Sequence, residues 1–321
     1  MHGRTFVTAL VALLGLMGAC DAQQYPTKPV TLIVGASAGG GTDVQARILA
    51  ERLSARLGKR VVVDNRPGAG SNIATTAVAK APPDGHTLAL VATSTPINHS
   101  LYARPGFDAL VDLTPVAGWA EAPLLFVVNP KLPVSTLQEL AEYSKRHPDE
   151  LDYGNAIGFT NQMVMELFKL EAGANIQFIP YQGLVQARTD VIAGEIETTV
   201  DSIASSGPYI ESGQLKALAI TSPKRVPRFP DVPTVAEAGY PNVTRNTWYG
   251  VVAPARTPPA IVQKLAAEIA AIQAEPEVIK RIEATGAVPF VAGPEEFREF
   301  MKAEVELWAS VIAESKMEKV R

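Results

Sequence analysis

Residues 30–53 read VTLIVGASAGGGTDVQARILAERL, and the way this stretch divides decides the fold. Val30–Val34 is a β-branched and aliphatic run bounded by glycine, the pattern of a buried strand. A loop of small residues follows, through Gly41. From there Val44, Ile48, Leu49, Leu53 and Leu57 step at helical spacing, with Thr42 placed to cap the helix and Asp43 in its first turn. The loop also contains Gly35-Ala36-Ser37-Ala38-Gly39, a G-x-S-x-G pattern set between a strand and a helix like a hydrolase nucleophile elbow. Two chemistries have to be separated here: a nucleophilic serine, or a backbone cradle that holds a guest without reacting with it.

The alternation continues outward. Arg60–Val63 reads as a strand, Asn65-Arg66-Pro67-Gly68-Ala69-Gly70 as a turn, Ile73–Lys80 as a helix and Thr87–Ala92 as a third strand. Such alternation implies right-handed crossovers and a mostly parallel sheet. Farther along, Leu124–Val128, Phe178–Pro180, Ile196–Val200, Leu215–Thr221 and Trp248–Ala253 read as strands. Helices are predicted from a Ser135 cap through Tyr143, after Thr160, from Gly183 through Ala193, and over Pro259–Ala274 and Pro294–Glu314. Between Ser222 and Pro241 the chain is proline-rich and reads as a surface excursion. The opening pattern of strand, small-residue loop and helix returns at Leu151–Leu170, so each half of the chain offers a helix N-terminus.

A chain of 321 residues accommodates two lobes of ordinary size. Its net charge is −4 and its only basic cluster is Lys224, Arg225 and Arg228, which argues against a nucleic-acid partner. Residues 1–22 differ in kind. Arg4 precedes an apolar run from Thr5 to Ala19, and small residues follow. This is the pattern of a secretory signal, the alternative being a buried N-terminal helix. No later run approaches the roughly 18 apolar residues that a membrane span needs. Cys20 is the only cysteine, so the chain has no disulfide framework. Its place after Gly18-Ala19 makes it a lipidation candidate, although Met17 stands where a lipoprotein signal usually has leucine. Cleavage after Ala22, leaving a cysteine-free mature chain, is the preferred reading; either route predicts export to the periplasm.

The serine reading lacks partners. An elbow serine needs a later aspartate and then a histidine, yet the histidines are His2, His86, His99 and His147. A dinucleotide site is no better served, because Gly68-Ala69-Gly70-Ser71-Asn72-Ile73 only begins as G-x-G-x-x-G. With one cysteine and scattered histidines, no transition-metal site is legible. What remains is the loop itself. Glycines expose backbone N–H groups, and the helix start adds unpaired N–H groups with partial positive charge. Four or five bonds to an anion, at roughly 1.5–3 kcal/mol each and less the cost of association, would give micromolar binding. From the loop alone, such a cradle and a plain tight turn stand level.

A series of short motifs tips that balance. Tyr25-Pro26-x-Lys28-Pro29, Ala38-Gly39-Gly40-Gly41-Thr42-Asp43 with Ala46-Arg47, and Asn65-Arg66-Pro67-Gly68-Ala69-Gly70 with Ile73 occur in order. Pro83-Asp84-Gly85-His86-Thr87-Leu88, Pro180-Tyr181-x-Gly183, Asp231-Val232-Pro233-Thr234, Trp248-x-Gly250 and Ala253-Pro254-Ala255-x-Thr257-Pro258 complete it. From Tyr25 onward the chain resembles the Bug family, the TctC-type extracytoplasmic solute receptors of tripartite tricarboxylate transporters. The resemblance implies an α/β fold: a two-lobed type II periplasmic binding protein, or Venus flytrap, each lobe a mostly parallel sheet flanked by helices. Lobe 1 would comprise 23–123 and 249–321, and lobe 2 would comprise 124–248. A small organic carboxylate would lie between the lobes, held by backbone amides and ordered waters, and would be delivered to TctA/TctB-type permease subunits. No enzymatic step and no cofactor are implied. The runner-up readings are an exported sensor using the same clamp and an esterase using Ser37.

The ligand-facing positions that the resemblance marks are Ser37, Ala38, Gly39, Gly40, Gly41, Thr42 and Asp43 in lobe 1. In lobe 2 they are Asn155, Ala156, Ile157, Gly158, Phe159, Thr160 and Asn161, with Tyr181, Gly183 and Asp201 at the edge. This chain departs from the family pattern in three places. Gly35-Ala36 replaces Pro-Phe; Ala156-Ile157-Gly158-Phe159 replaces a glycine-serine loop, with Met163 at a frequent histidine; and Gln182 replaces a lysine. Ile157 and Phe159 either wall a ligand with an apolar or aromatic body or pack inward. Asp43 either meets a ligand ammonium or serves the helix dipole, and Asp201 either faces the cleft or is a solvated strand end. Tyr181 is expected at the cleft, Trp248 in the hinge core, and Arg47 and Arg66 as surface ties.

Overall fold

The computed structural model describes residues 25–321; the signal reading and Cys20 lie outside the described residues. The chain opens with β1 (Val30–Val34), α1 (Gly41–Leu57), β2 (Val61–Asn65), α2 (Asn72–Ala79), β3 (Thr87–Ala92), α3 (Ser94–Leu101) and β4 (Leu113–Ala122). β1 pairs in parallel with β2 and β3, as the crossover helices require. α1 buries Ile48, Leu49 and Leu53 against Leu32 and Leu88 of the sheet, and Gly58 ends it at φ +67°.

Pro123 breaks the extended run, and β5 (Leu124–Val128) begins a second sheet. That half continues through α4 (Leu137–Arg146), β6 (Asp152–Ala156), α5 (Thr160–Ala172), β7 (Gln177–Tyr181), α6 (Leu184–Ala193), β8 (Thr198–Ser202), α7 (Ile203–Glu211) and β9 (Lys216–Ile220). The return strand β10 (Thr247–Pro254) leads to α8 (Pro259–Gln273), α9 (Pro276–Glu283), β11 (Val288–Pro289) and α10 (Pro294–Glu314). Among the described residues the six-stranded sheet has the order β11-β4-β10-β3-β1-β2, and the five-stranded sheet β7-β6-β8-β5-β9.

The two-sheet α/β architecture is as expected, but the sheets are mixed rather than mostly parallel. β10 runs antiparallel to β3 and β4, and β5 runs antiparallel to β8 and β9. The reason is connectivity. β4, β5 and β10 carry the chain between the halves, so they run against strands that are linked by crossover helices within one half. The crossings are tied together: Leu124 N–H donates to Thr221 Oγ1 (2.8 Å), and Thr221 Oγ1 donates to Asn246 Oδ1 (3.1 Å). Trp248 N–H donates to Thr93 Oγ1 at 2.9 Å.

Each sheet is covered on both faces. Trp119, Leu49 and Ile269 fill one side of the first sheet, and Trp248, Phe297 and Met301 the other. Phe126, Tyr153 and Phe168 fill one side of the second, and Val191, Ile220 and Phe229 the other. A separate cluster spans the halves, joining Ile97 and Leu101 of α3 and Met163 of α5 to Trp308, Val311 and Ile312 of α10. Among the described residues no helix is long and apolar enough to cross a membrane. Sequence patterning did not single out α3, β4, α7 or α9. It placed the α4 cap one residue early: Thr136 accepts from Glu139 N–H (3.0 Å), while Ser135 N–H donates back to Glu139 Oε2 (2.6 Å), a reciprocal capping arrangement.

Candidate functional site

β1 delivers the chain to Gly35, where glycine is required by a neighbour. A Cβ on Gly35 would lie 2.3 Å from Ser71 Cβ, and Ser71 Oγ donates to Gly35 O at 3.2 Å. The loop then folds on itself. Gly40 N–H donates to Ser37 O (3.0 Å), and Gly39, at φ +82°, donates its N–H to Asp43 Oδ2 (2.8 Å). Arg47 Nε donates to the same oxygen (2.8 Å), and Asn65 Nδ2 donates to Asp43 Oδ1 (2.9 Å) and to Ala36 O (3.0 Å). Asp43 is only 2% exposed. Burial pushes its carboxyl pKa up, but the Arg47 guanidinium, the Gly39 N–H and the Asn65 amide outweigh burial and hold it down at about 2.

This lock changes where the helix begins. Gly40 is the N-cap and Gly41 the first helical residue, so Thr42 lies inside the first turn instead of capping it. The loop is closed by a carboxylate from within the helix, which leaves no role for a hydroxyl cap. The first bond of the helix ladder is Val44 N–H to Gly40 O (3.0 Å), and the N–H groups of Gly41, Thr42 and Asp43 precede it. Of the three consecutive glycines, Gly39 and Gly40 spend their amides inside the loop and Gly41 presents its amide at the helix start. Ser37 and Ala38 are exposed at the outer edge.

Ser37 lacks the strained backbone of an elbow. Among the described residues, the non-glycine positions at positive φ are Ala69, Ser71, Asp149, Arg256 and Lys316. The histidines among the described residues are engaged elsewhere: His86 against Tyr25 and Asp84, His99 Nδ1 accepting from Ala109 N–H (3.2 Å), and His147 stacked on Tyr143. The strain sits in the next loop, where Gly68, Ala69, Gly70 and Ser71 all have positive φ. That loop brings Ser71 and Thr75 beside Gly35 and Thr42, and with Thr95 they line a narrow cavity under the start of α1. The Tyr249 hydroxyl borders the same helix start, 3.2 Å from where a Gly41 Cβ would lie. Burial pushes its pKa up to about 12, which keeps it a neutral donor. Ser71, Thr75, Thr95 and Tyr249 were missed in the sequence reading. The signal for Thr95 was there: Thr93-Ser94-Thr95 directly follows β3, at the carboxyl end of a parallel strand, where open α/β sheets take ligands.

In the second half, Asn155, one residue before the end of β6, is fully buried. Its Nδ2 donates to Thr199 Oγ1 (3.3 Å), whose own proton goes to Gly154 O (2.7 Å), and Asn155 Oδ1 has no partner. Ala156 is buried, whereas Ile157 and Phe159 are each 39% exposed, so neither packs inward. Gly158, at φ +77°, donates its N–H to Gln162 Oε1 (2.9 Å). Thr160 begins α5, and the first ladder bond there is Met163 N–H to Phe159 O (3.2 Å), leaving the Thr160, Asn161 and Gln162 amides ahead of it. Asn161 Nδ2 donates to Val200 O at 2.9 Å. Met163 packs with Ile97 and Trp308 in the cluster between the halves. The halves also meet where Asn98 Oδ1 lies 2.4 Å from the position of a Gly158 Cβ.

The edge residues are bound internally. Tyr181 Oη donates to Asp190 Oδ2 (2.8 Å), and burial together with that carboxylate pushes its pKa up to about 12. Gly183 caps α6 with open space where a side chain would be. Asp201, 2% exposed, accepts from Arg188 Nη1 (2.8 Å), Ser206 Oγ (2.7 Å) and Ser202 N–H (2.7 Å). It is neither a solvated strand end nor an unpaired cleft carboxylate. Arg47 and Arg66 make surface ties, to Asp43 and Asp64.

A family model described as "Tripartite tricarboxylate transporter family receptor" matches residues 45–317. BugT of Bordetella pertussis is 39% identical over 308 residues, covering 95% of this chain and 94% of that protein. A R. palustris protein solved with adipate superposes with a TM-score of 0.80 at 36% identity, over 91% of this chain and 98% of its own. MatC of Rhodopseudomonas palustris, solved with bound malate, gives 0.78 at 30% identity, over 90% of this chain and 100% of its own. The chain belongs to the tripartite tricarboxylate transporter receptor family.

Proposed function

We propose that the protein is an exported receptor that closes its two lobes on a small organic carboxylate and delivers it to TctA/TctB-type membrane subunits. The observation that carries this reading is the start of α1. The Gly41, Thr42 and Asp43 amides precede the helix ladder, and Thr42 lines a cavity that also takes the hydroxyl residues Ser71, Thr75 and Thr95, an arrangement that favours an anion. The start of α5 offers a second set at Thr160 and Asn161. Adipate and malate in two relatives are both dicarboxylates, which supports a carboxylate head group.

Within this reading, Gly39, Gly40 and Asp43 hold the first loop, Gly41 and Thr42 contact the carboxylate, and Ser37 and Ala38 form the rim. Asn155, Ala156 and Gly158 hold the second loop, and exposed Ile157 and Phe159 meet an apolar ligand body. Tyr181, Gly183 and Asp201 shape the edge. Residues 23–123 with 249–321 move against 124–248 about the β4–β5 and β10 crossings. Ligand that contacts both lobes only when they are closed favours closure by that differential affinity, with no catalytic step.

The test is a thermal-shift screen of the mature protein with benzoate, succinate, adipate, malate and citrate. A ligand at one hundred times its Kd adds about 2.7 kcal/mol to stability, a shift of several degrees. At least one acid is expected to produce it, with benzoate ahead of succinate if the apolar wall is used. A flat response to every acid, alongside a shift from an uncharged solute, would sink the reading. Uptake of the stabilising acid should be lost when the membrane subunits are deleted. Mass spectrometry of the exported protein reads whether Cys20 carries lipid.

A further inference from the structure

The cavity beneath the start of α1 encloses about 10 Å³, room for a single oxygen-sized guest. Two of its hydroxyls are spent: Ser71 Oγ donates to Gly35 O and Thr75 Oγ1 to Ser71 O, both at 3.2 Å. Thr95 differs. The residue is 2% exposed, and its Oγ1 is buried with no hydrogen-bond partner. A buried hydroxyl without a partner costs stability, and packing gives no reason for it, because valine would fill the same volume. Thr95 lies in the first turn of α3, just past the carboxyl end of β3, and faces the same space as Thr42.

We propose that Thr95 is a ligand-binding residue whose hydroxyl donates to a carboxylate oxygen of the bound acid, seated in the cavity that Thr95 and Thr42 line together at the start of α1. The proposal rests on the carboxylate reading above. It assigns the first half of the site a side-chain donor outside the glycine loop. Backbone amides respond to charge; the Thr95 hydroxyl responds to how far the acid's oxygen reaches under α1. No group of the protein takes up the Thr95 hydroxyl, which leaves it available to a guest.

Thr95→Val and Thr95→Ser, measured by thermal melting without ligand and by calorimetric titration, test it. The probe is whichever of benzoate, succinate, adipate, malate or citrate stabilises the unaltered protein. Thr95→Val is expected to melt higher than the unaltered protein when empty and to bind that acid about tenfold more weakly, the loss of one hydrogen bond to a charged group. Thr95→Ser is expected to keep the affinity. Equal affinity in Thr95→Val means that water or nothing occupies the hydroxyl, and overturns the inference alone. A lower melting point for empty Thr95→Val means that the hydroxyl is paired within the protein, and also overturns it. No binding of any of these acids to the unaltered protein overturns the carboxylate reading and this inference with it.

Discussion

Asp43 shows how one side chain sets the form of a loop. A first-turn aspartate usually serves the helix dipole; this one turns inward and spends both oxygens on Gly39, Arg47 and Asn65. Replacing Asp43 with Asn removes the charge from those three bonds and is expected to cost about 1–2 kcal/mol at neutral pH, discounted because Arg47 is exposed. The sign with pH follows from a depressed folded pKa. The contribution is present above the ordinary aspartate range and is lost as pH falls toward about 2. Urea melts of both proteins from pH 7 to pH 2 should therefore converge at the acid end. A gap that persists unchanged at pH 2 would mean that packing, not charge, holds the loop.

At the scale of elements, the C-terminal helix α10 governs the crossing strand. Glu304 is buried and accepts from Trp248 Nε1 of β10 and Trp308 Nε1 of α10 itself, both at 2.9 Å. Burial raises its pKa, opposed by the two indole N–H groups and by Arg245. A raised carboxyl pKa means that its ionisation destabilises the fold as pH rises through the folded value. Glu304→Gln keeps an acceptor for both indoles and removes that charge. It should match the unaltered protein at low pH and exceed it at neutral pH. Glu304→Leu leaves two buried indole N–H groups unpaired and should lose about 2–4 kcal/mol at every pH. Urea denaturation at pH 4 and pH 8 separates the two outcomes; a Gln variant less stable than the parent at pH 8 would show that the charge itself is needed.

For the whole molecule, the contact between Asn98 and Gly158 matters because the two residues belong to opposite halves. A Cβ at Gly158 would lie 2.4 Å from Asn98 Oδ1, at a backbone φ of +77° that favours glycine. Gly158→Ala therefore opposes closure. A penalty of about 1.4 kcal/mol on the closed form is tenfold in apparent affinity for any ligand that needs it. The expected result is weaker binding of the stabilising acid and a larger radius of gyration in solution scattering with ligand present. Adding Asn98→Ala removes the steric part and should recover some of the loss; no change in either observable would show that closure does not depend on this contact.

Most strands other than β4, the long helices and the loops at 38–43 and 155–161 were legible in the sequence, because hydrophobic period and glycine placement are local signals. The motif series added the family. Three things were not legible. The antiparallel course of β5 and β10 depends on which half each strand joins. The spending of the Gly39, Gly40 and Gly158 amides depends on Asp43, the Ser37 carbonyl and Gln162. The placement of Ser71, Thr75, Thr95 and Tyr249 under one helix start depends on residues far apart in the chain meeting at the ends of neighbouring strands. Sequence by itself determined most of the segments that form and that each half would offer a helix start. Only the tertiary structure decided which donors remain free, because a hydrogen bond is committed by the neighbour that arrives, and sheet order chooses that neighbour.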